Sequence, residues 1–553
     1  MLSVSPAARE IQGRILTPEN PGYDAARTVF LGNVDRRPAL IARPVDAADV
    51  ARVIALARDS GAELAVRGGG HSPAGHSASD GGIVLDLRGL RGLDLDLAGR
   101  TAWAGGGLTA GEYTAAAGEH GLATGFGDAG SVGIGGITLS GGVGFLVREH
   151  GMTIDQLLAA EIVTADGRVL EVDAERHPDL FWAIRGGGGN FGVVTRLRFQ
   201  LHDVSEFTGG ILVLPASADV LDRFLAEAEA APDALSTIAN VMGAPPMPFL
   251  PAEVHGRPIV LAMLAWTGDA AAGERALAPF RAIAEPLADM LGTMPYAGMY
   301  QPADPDYHPV AAARTGLASD VDAATVVDWI SAAPGRVVQL RVLGGAMARM
   351  PADATAFAHR DARMIGNIVA MYSDPADGPQ AEAEVAALGK RIYDGDGAYA
   401  GFLRDEGEAR VRAAYPGGAY ERLAAVKAQY DPTTCSASTR TWRRRRGTAP
   451  RHRPEWPAGL EICPDDSCRS GKWVGPPHAN TRRLAATGLA VDRRTRGAGR
   501  ATVGCGSCRG VTVPRWSAPP PPRRRLWRNV SGSSGSPLCS SALPRDGPSA
   551  AAC

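Results

Sequence analysis

Four glycine clusters are the first residues whose type and spacing suggest chemistry: "RGGGH" (67–71), "GIGG" (133–136), "SGGVG" (140–144) and "GGGGN" (186–190). Glycine has no Cβ, so its backbone reaches φ > 0 and can approach a ligand closely. Successive exposed N–H groups form a nest for phosphate oxygens. One such loop is more readily an ordinary turn than a site. Four, each beside an expected strand, fit one extended ligand carrying phosphates and a flat ring. No Gly-Lys-Ser/Thr phosphate loop occurs. "RGGGH" follows a strand-like run but lacks the G-x-G-x-x-G spacing, carrying Arg67 and His71 instead, and "GGVG" is not followed by a long helical pattern. A Rossmann dinucleotide fold is therefore disfavoured.

The elements that position these loops follow from periodicity. "LIARPVDAADVARVIALARDSGAELAVRGGGHS" predicts strand, helix, strand and glycine turn, with Val50, Val53, Ile54 and Ala57 at helical spacing. Asp46 and Asp49 stand where a helix start favours acids. "GGIVLDL" and "RTAWAGGG" predict strands, and Thr109 with Glu112 predicts a capping box for "AGEYTAAAGEHG". "EIVTADGRVLEV" predicts a hairpin with Asp166-Gly167 as a two-residue turn. "PDLFWAIRGGGGNFGVVTRLRFQL" predicts helix, glycine loop and strand. From about 205 to 390 Ala-rich helices alternate with strands such as "GGILVLPA" and "RPIVLAMLAW", which predicts a second domain. "EGEARVRAAYPGGAYERLAAVKAQY" is helical with a break at Pro416-Gly417-Gly418.

The chain has 553 residues, 45% hydrophobic and 21% charged, within the globular range. Of 57 Lys+Arg and 59 Asp+Glu, 22 and 6 lie from Cys435 onward, leaving 35 and 53 before it. The front is thus about −18 and the tail about +16, and all 7 cysteines lie in the tail. An acidic front argues against nucleic-acid binding there, and its lack of cysteine excludes a disulfide framework. No apolar run is long enough to cross a bilayer, and the first twenty residues lack an apolar core or cleavage site. A cytoplasmic location without membrane contact is the expectation. No Cys/His set stands at metal-ligand spacing, so no metal is expected.

"AVRGGGHSPAGHSASDGGIVLDL", "VGIGGITLSGGVGFLVREHGMTID" and "DLFWAIRGGGGNFGVVT" together resemble the FAD-linked oxidases of the vanillyl-alcohol oxidase (p-cresol methylhydroxylase-type) superfamily, above all the berberine bridge enzyme-like branch. The resemblance spans roughly residues 20 to 433, and "YERLAAVKAQYDPT" matches that branch's closing element. It implies an α+β fold. A p-cresol methylhydroxylase-type FAD-binding domain, residues 1–204 and 391–433, is split around an antiparallel-sheet substrate domain at 205–390. It further implies that Arg67, Gly68, Gly69, Gly70, Ser72 and Gly75 cradle the FAD pyrophosphate and that His71 bonds covalently to the flavin. Gly135, Gly136, Ser140, Gly141, Gly142 and Gly144 would pass close to the flavin and its ribityl chain, and Ser131, Val132 and Gly133 are also expected to bind the cofactor. Gly192, Val193 and Val194 would run beside the adenine. Bicovalent members carry a second attachment, a cysteine, where Ala129 stands in "GDAGSVG", so the implied attachment is through His71 only.

The implied reaction is hydride transfer from a small organic alcohol or amine to flavin N5, with dioxygen as acceptor. A tyrosine lowered in pKa by a nearby cation could act as base. The family's Tyr-x-Asn motif is "YAG" here, so Tyr399 matches and the asparagine does not. Tyr296, Tyr300 and His308 fall where the pocket roof is expected, with structural roles favoured, and His359-Arg360 resembles family scaffold. Oligomeric state is not readable from the sequence.

The tail, 434–553, is low in complexity and expected to be disordered. "CGSC" (505–508) and the arginines would suit a nucleic-acid module, but there is no helical or aromatic periodicity. The branch resembled continues after "YDP" as T-N-L-F-R-L-N-Q-N-V. A GC-rich coding sequence for that stretch, with one adenine removed, translates to T-T-C-S-A-S-T-R-T-W, which is residues 433–442. A one-nucleotide frameshift after Thr433 is the expectation. A catalytically impaired flavin-binding protein then stays open as an alternative to an active oxidase.

Overall fold

The computed structural model describes residues 10–301 and 304–432, and the readings made for the tail lie outside the described residues. Residues 40–67 fold as their spacing predicts. Strands Leu40–Arg43 and Leu64–Arg67 flank the helix Ala47–Ser60. The Asp46 carboxylate accepts the Asp49 amide at its start, and Gly61 (φ 67°) ends it. Val50, Val53, Ile54 and Ala57 are its buried stripe. The sheet runs Arg14–Leu16, Leu40–Arg43, Ile83–Asp86, Leu64–Arg67, and the last three strands are parallel. The first glycine loop therefore leaves the carboxyl end of a buried parallel strand.

A second sheet, wholly antiparallel, runs Leu93–Asp96, Thr101–Gly105, Val193–Gln200, Leu157–Val163, Val169–Asp173. Thr109 and Glu112 form the expected capping box on the helix Ala110–Gly118. Two local expectations need correction. The hairpin closes on three residues, not two. Thr164 N–H donates to Arg168 C=O (2.9 Å), Gly167 N–H to Thr164 C=O (2.8 Å), and Gly167 has φ +87°. That is a tight turn followed by one left-handed residue, for which Asp-Gly is equally suited. "GIGG" is not a loop beside a strand; Gly135 and Gly136 lie inside the helix Ile134–Ser140, with Gly133 as its N-cap.

The third sheet has eight antiparallel strands. Its main path is Ala288–Asp289, Phe207–Pro215, Pro258–Thr267, Leu235–Gly243, Arg336–Val342, Met364–Met371, Ala311–Ala318. Side chains alternate between its faces. Ala239, Val241, Val338, Leu340, Ile368 and Ala312 point into a core shared with the helices Ala218–Ala230, Ala323–Ala332 and Gly378–Ile392. Each large side chain so buried contributes about 1.5–3 kcal/mol. The chain then returns to its first part. Tyr415, Leu423 and Tyr430 share one core with Leu180, Phe181 and Ile184. Tyr415 Oη–H donates to Gly186 C=O (2.9 Å), and the Lys427 ammonium donates to Asn190 C=O (2.7 Å). The fourth glycine cluster is thus held by the last helix, Ala419–Tyr430, and by the turn before it. Among the described residues no helix is long and apolar enough to cross a membrane.

Candidate active site

A cavity of about 650 Å³ lies between the glycine loops and the free face of the eight-stranded sheet. Of the residues expected at a ligand, Gly68, Gly69, Gly70, His71, Ser72, Val132, Gly133, Gly135, Gly136, Ser140, Gly192, Val193, Val194 and Tyr399 line it. Two loops meet there at backbone distance. A Cβ built on Gly69 would lie 2.2 Å from Gly133 N and 2.7 Å from Ser131 O. By contrast, a Cβ on Gly136 would meet nothing within 4 Å, because that side of the helix faces the cavity.

His71 stacks on Phe30 at 4.2 Å between ring centroids. Burial lowers its pKa to about 4, against the opposing pull of the Asp128 carboxylate. The imidazole is therefore neutral at pH 7, with a nitrogen lone pair available. Ala129 lines the cavity at the position implied for a second attachment.

The remaining expected residues stand behind the wall. Arg67 is buried and donates to the Ala26 and Thr28 carbonyls at the end of the helix Tyr23–Arg27, so it does not reach toward a phosphate. Those orphan carbonyls are what a guanidinium satisfies at a helix C-terminus. Its pKa is lowered to about 10 by burial, and it stays cationic. Gly75 (φ +71°) forms a turn against Val34. Ser131 backs Gly69 with its carbonyl. A Cβ on Gly144 would lie 1.8 Å from Phe126 O. Gly141 and Gly142, with φ +132° and +81°, shape the turn on which Tyr399 rests.

Tyr399 is buried, and its Oη accepts the Gly142 N–H at 2.8 Å. The expectation of a tyrosine lowered in pKa is not met there. Burial pushes its phenol up to about 12, and the Gly142 N–H and Arg341 oppose this only in part. Tyr399 thus anchors the Gly141–Gly142 turn while lining the cavity. Tyr296 and Tyr300 are buried and share a hydroxyl–hydroxyl hydrogen bond of 3.1 Å, while His308 is exposed; from that stretch it is Tyr307 and Pro309 that line the cavity. His359 Nε2 lies 3.1 Å from Ala413 C=O, and Arg360 pairs with Asp155, both in line with the scaffold reading.

The free face of the eight-stranded sheet carries residues the sequence reading missed. Register places Asn240 opposite Gln339 and Gln339 opposite Asn367, with Met242, Val337 and Val369 forming the next row. Gln339 Nε2 donates to Asn240 Oδ1 (2.9 Å) and to Asp128 Oδ2 (3.1 Å), and Arg341 pairs with Asp128 at 2.9 Å. The available signal was period two: in "RVVQLRV", "LSTIANVMG" and "MIGNIVAM", polar residues interrupt apolar runs on one face.

The FAD binding domain family matches residues 38–173. The (R)-6-hydroxynicotine oxidase of Paenarthrobacter nicotinovorans is 33% identical over 449 residues, covering 76% of this chain and 94% of that protein. The solved 6-hydroxy-D-nicotine oxidase of Arthrobacter nicotinovorans superposes with a TM-score of 0.69 at 30% identity, covering 78% of this chain and 98% of the other. A glucooligosaccharide oxidase from Acremonium strictum, with a 6-S-cysteinyl, 8α-N1-histidyl FAD, gives 0.66 at 26% identity, covering 76% and 95%. Both the glycine cradle and the long, well-covered relatedness lead to one assignment: the chain belongs to the FAD-linked oxidases of the vanillyl-alcohol oxidase and p-cresol methylhydroxylase superfamily.

Proposed function

We propose that this enzyme oxidises a small organic alcohol or amine with FAD and dioxygen, releasing hydrogen peroxide. The observation that carries the reading is the cradle itself. Gly69 and Gly133 bring two backbones together, Gly136 leaves a Cβ-sized opening toward the cavity, and the neutral His71 ring lines the same space. Residues 1–204 with 391–433 are taken as the part that binds FAD, and 205–390 as the part that meets substrate. Bound FAD would supply a two-electron acceptor for the substrate hydride, with dioxygen as the terminal oxidant.

The chain's own residues provide the rest. His71 is assigned as the single covalent attachment, since Ala129 offers no thiol and the chain has no cysteine before Cys435. Gly68, Gly69, Gly70 and Ser72 line the phosphate end, and Gly192, Val193 and Val194 the adenine end. Tyr399 fixes the Gly141–Gly142 turn through its hydrogen bond to Gly142 N–H. The apolar row of Met242, Val337 and Val369 excludes water from the substrate side.

The test is peroxide formation in air with a panel of small amines and alcohols. The expected result is peroxide equal to substrate consumed for one class. Substrate oxidation that leaves oxygen untouched would contradict the oxidase assignment.

A further inference from the structure

Hydrogen-bond bookkeeping on the sheet wall narrows the substrate further. Arg341 is 3% exposed, and its donors go to Val143 C=O, Gln339 Oε1 and Asp128 Oδ2. Both amide hydrogens of Gln339 are used, on Asn240 and Asp128, and its oxygen accepts from Arg341. Asn240 in turn donates to Leu261 C=O at 3.3 Å. Arg341 and Gln339 are thus occupied by each other and by their neighbours, while Asn367 Oδ1 in the same row has no hydrogen-bond partner among the described residues. Asp128 differs. Both of its contacts fall on Oδ2, Oδ1 accepts nothing from the described residues, and the side chain is 22% exposed in the cavity wall.

A ligand on this wall therefore meets a carboxylate oxygen, with the guanidinium shielded behind it. Beside it lies the apolar row of Met242, Val337 and Val369. At Asp128 Oδ1 itself a carboxylate would face like charge. A protonated amine with an apolar body satisfies both features, because its N–H reaches Asp128 Oδ1 in a charge-assisted hydrogen bond.

We propose that Asp128 is the specificity-determining anchor for a small cationic amine substrate. Arg341 and Gln339 act as positioning residues that hold Asp128 through its other oxygen. The inference rests on the oxidase reading, choosing the amine among the substrates that reading allows.

Calorimetric titration of the full chain with benzylamine, benzyl alcohol and benzoate tests it. Benzylamine should bind at least about tenfold more tightly than benzyl alcohol, the size of one hydrogen bond to a charged group. Benzoate should bind more weakly than benzylamine, and benzoate binding as tightly as benzylamine overturns the inference. Asp128→Asn should remove the preference while leaving benzyl alcohol within about twofold, a span of only ~0.4 kcal/mol. Asp128→Glu, which keeps the charge, should keep the preference, and melting curves check that both variants fold. Benzylamine binding no better than benzyl alcohol, including no binding by either, overturns the inference. So does a preference that survives in Asp128→Asn. Yellow flavin absorbance in the same samples reports separately on the oxidase reading, so the two can fail independently.

Discussion

Gly69→Ala is expected to abolish flavin retention and destabilise the fold, while Gly136→Ala leaves the fold intact. Gly69 does not need a left-handed backbone; it needs the absence of a side chain. Its Cβ would sit 2.2 Å from Gly133 N and 3.0 Å from Gly133 Cα. Both are backbone atoms, and Gly133 N-caps the helix Ile134–Ser140, so neither can swing aside as a side-chain tip would. The two loops must separate, at a cost of about 1–3 kcal/mol or more for an overpacked site. Gly136 is the control. It lies within the same helix, and its Cβ would meet no protein atom within 4 Å. Alanine there should stabilise the helix by ~0.5–1 kcal/mol. Any loss of flavin in Gly136→Ala is then due to filling the cavity. Denaturant unfolding and the flavin content of purified protein separate the two effects. Equal flavin content and stability in wild type and Gly69→Ala would contradict the cradle.

A second large effect is expected at Arg360, far from any ligand contact. Its guanidinium makes a two-pronged pair with Asp155 at 2.7 and 2.8 Å, and the two side chains are 3% and 4% exposed. Arg360 also donates to Thr355 Oγ1 (2.8 Å) and Phe357 C=O (3.2 Å). The Asp155 carboxylate accepts the Met152 N–H at 2.8 Å. In the same segment Thr153 and Ile154 donate to the Gly142 and Gly141 carbonyls, both at 3.0 Å. The ion pair thus supports the turn that Tyr399 rests on. Arg360→Met keeps the side chain's bulk and removes its charge, leaving Asp155 buried and unpaired. The expected cost is about 3–5 kcal/mol in denaturant unfolding. Changing Asp155 to Asn in the same chain should recover part of it, since the unpaired charge is then gone. A loss below about 1 kcal/mol, the size of an exposed pair, would show that the charges are not desolvated as described.

How far the sequence carried can be seen residue by residue. Helix Ala47–Ser60 was legible because its apolar stripe, its acidic start and Gly61 agree with one another. The glycine clusters marked the cavity because close backbone approach leaves no other residue type available at Gly69. The misreadings have long-range causes. Arg67 sits inside the motif, but its partners at Ala26 and Thr28 lie about forty residues earlier and cannot be seen from local spacing. "GIGG" lies in a helix despite glycine's poor propensity, because Gly135 packs 3.0 Å, measured from a built Cβ, from Gly106 O. Tyr399 was found by resemblance, yet its burial, which sets its pKa, depends on Phe357 and Phe402 closing over it. Asn240, Gln339 and Asn367 showed their alternation in sequence, but only the register of three separate strands reveals that they form one row.

The central claim is a flavin held covalently by His71 alone, and acid precipitation of the purified protein tests it most directly. The account predicts a yellow pellet for the wild type and a colourless pellet with yellow supernatant for His71→Ala. Flavin released from the wild type by acid, or retained in the pellet of His71→Ala, would contradict it.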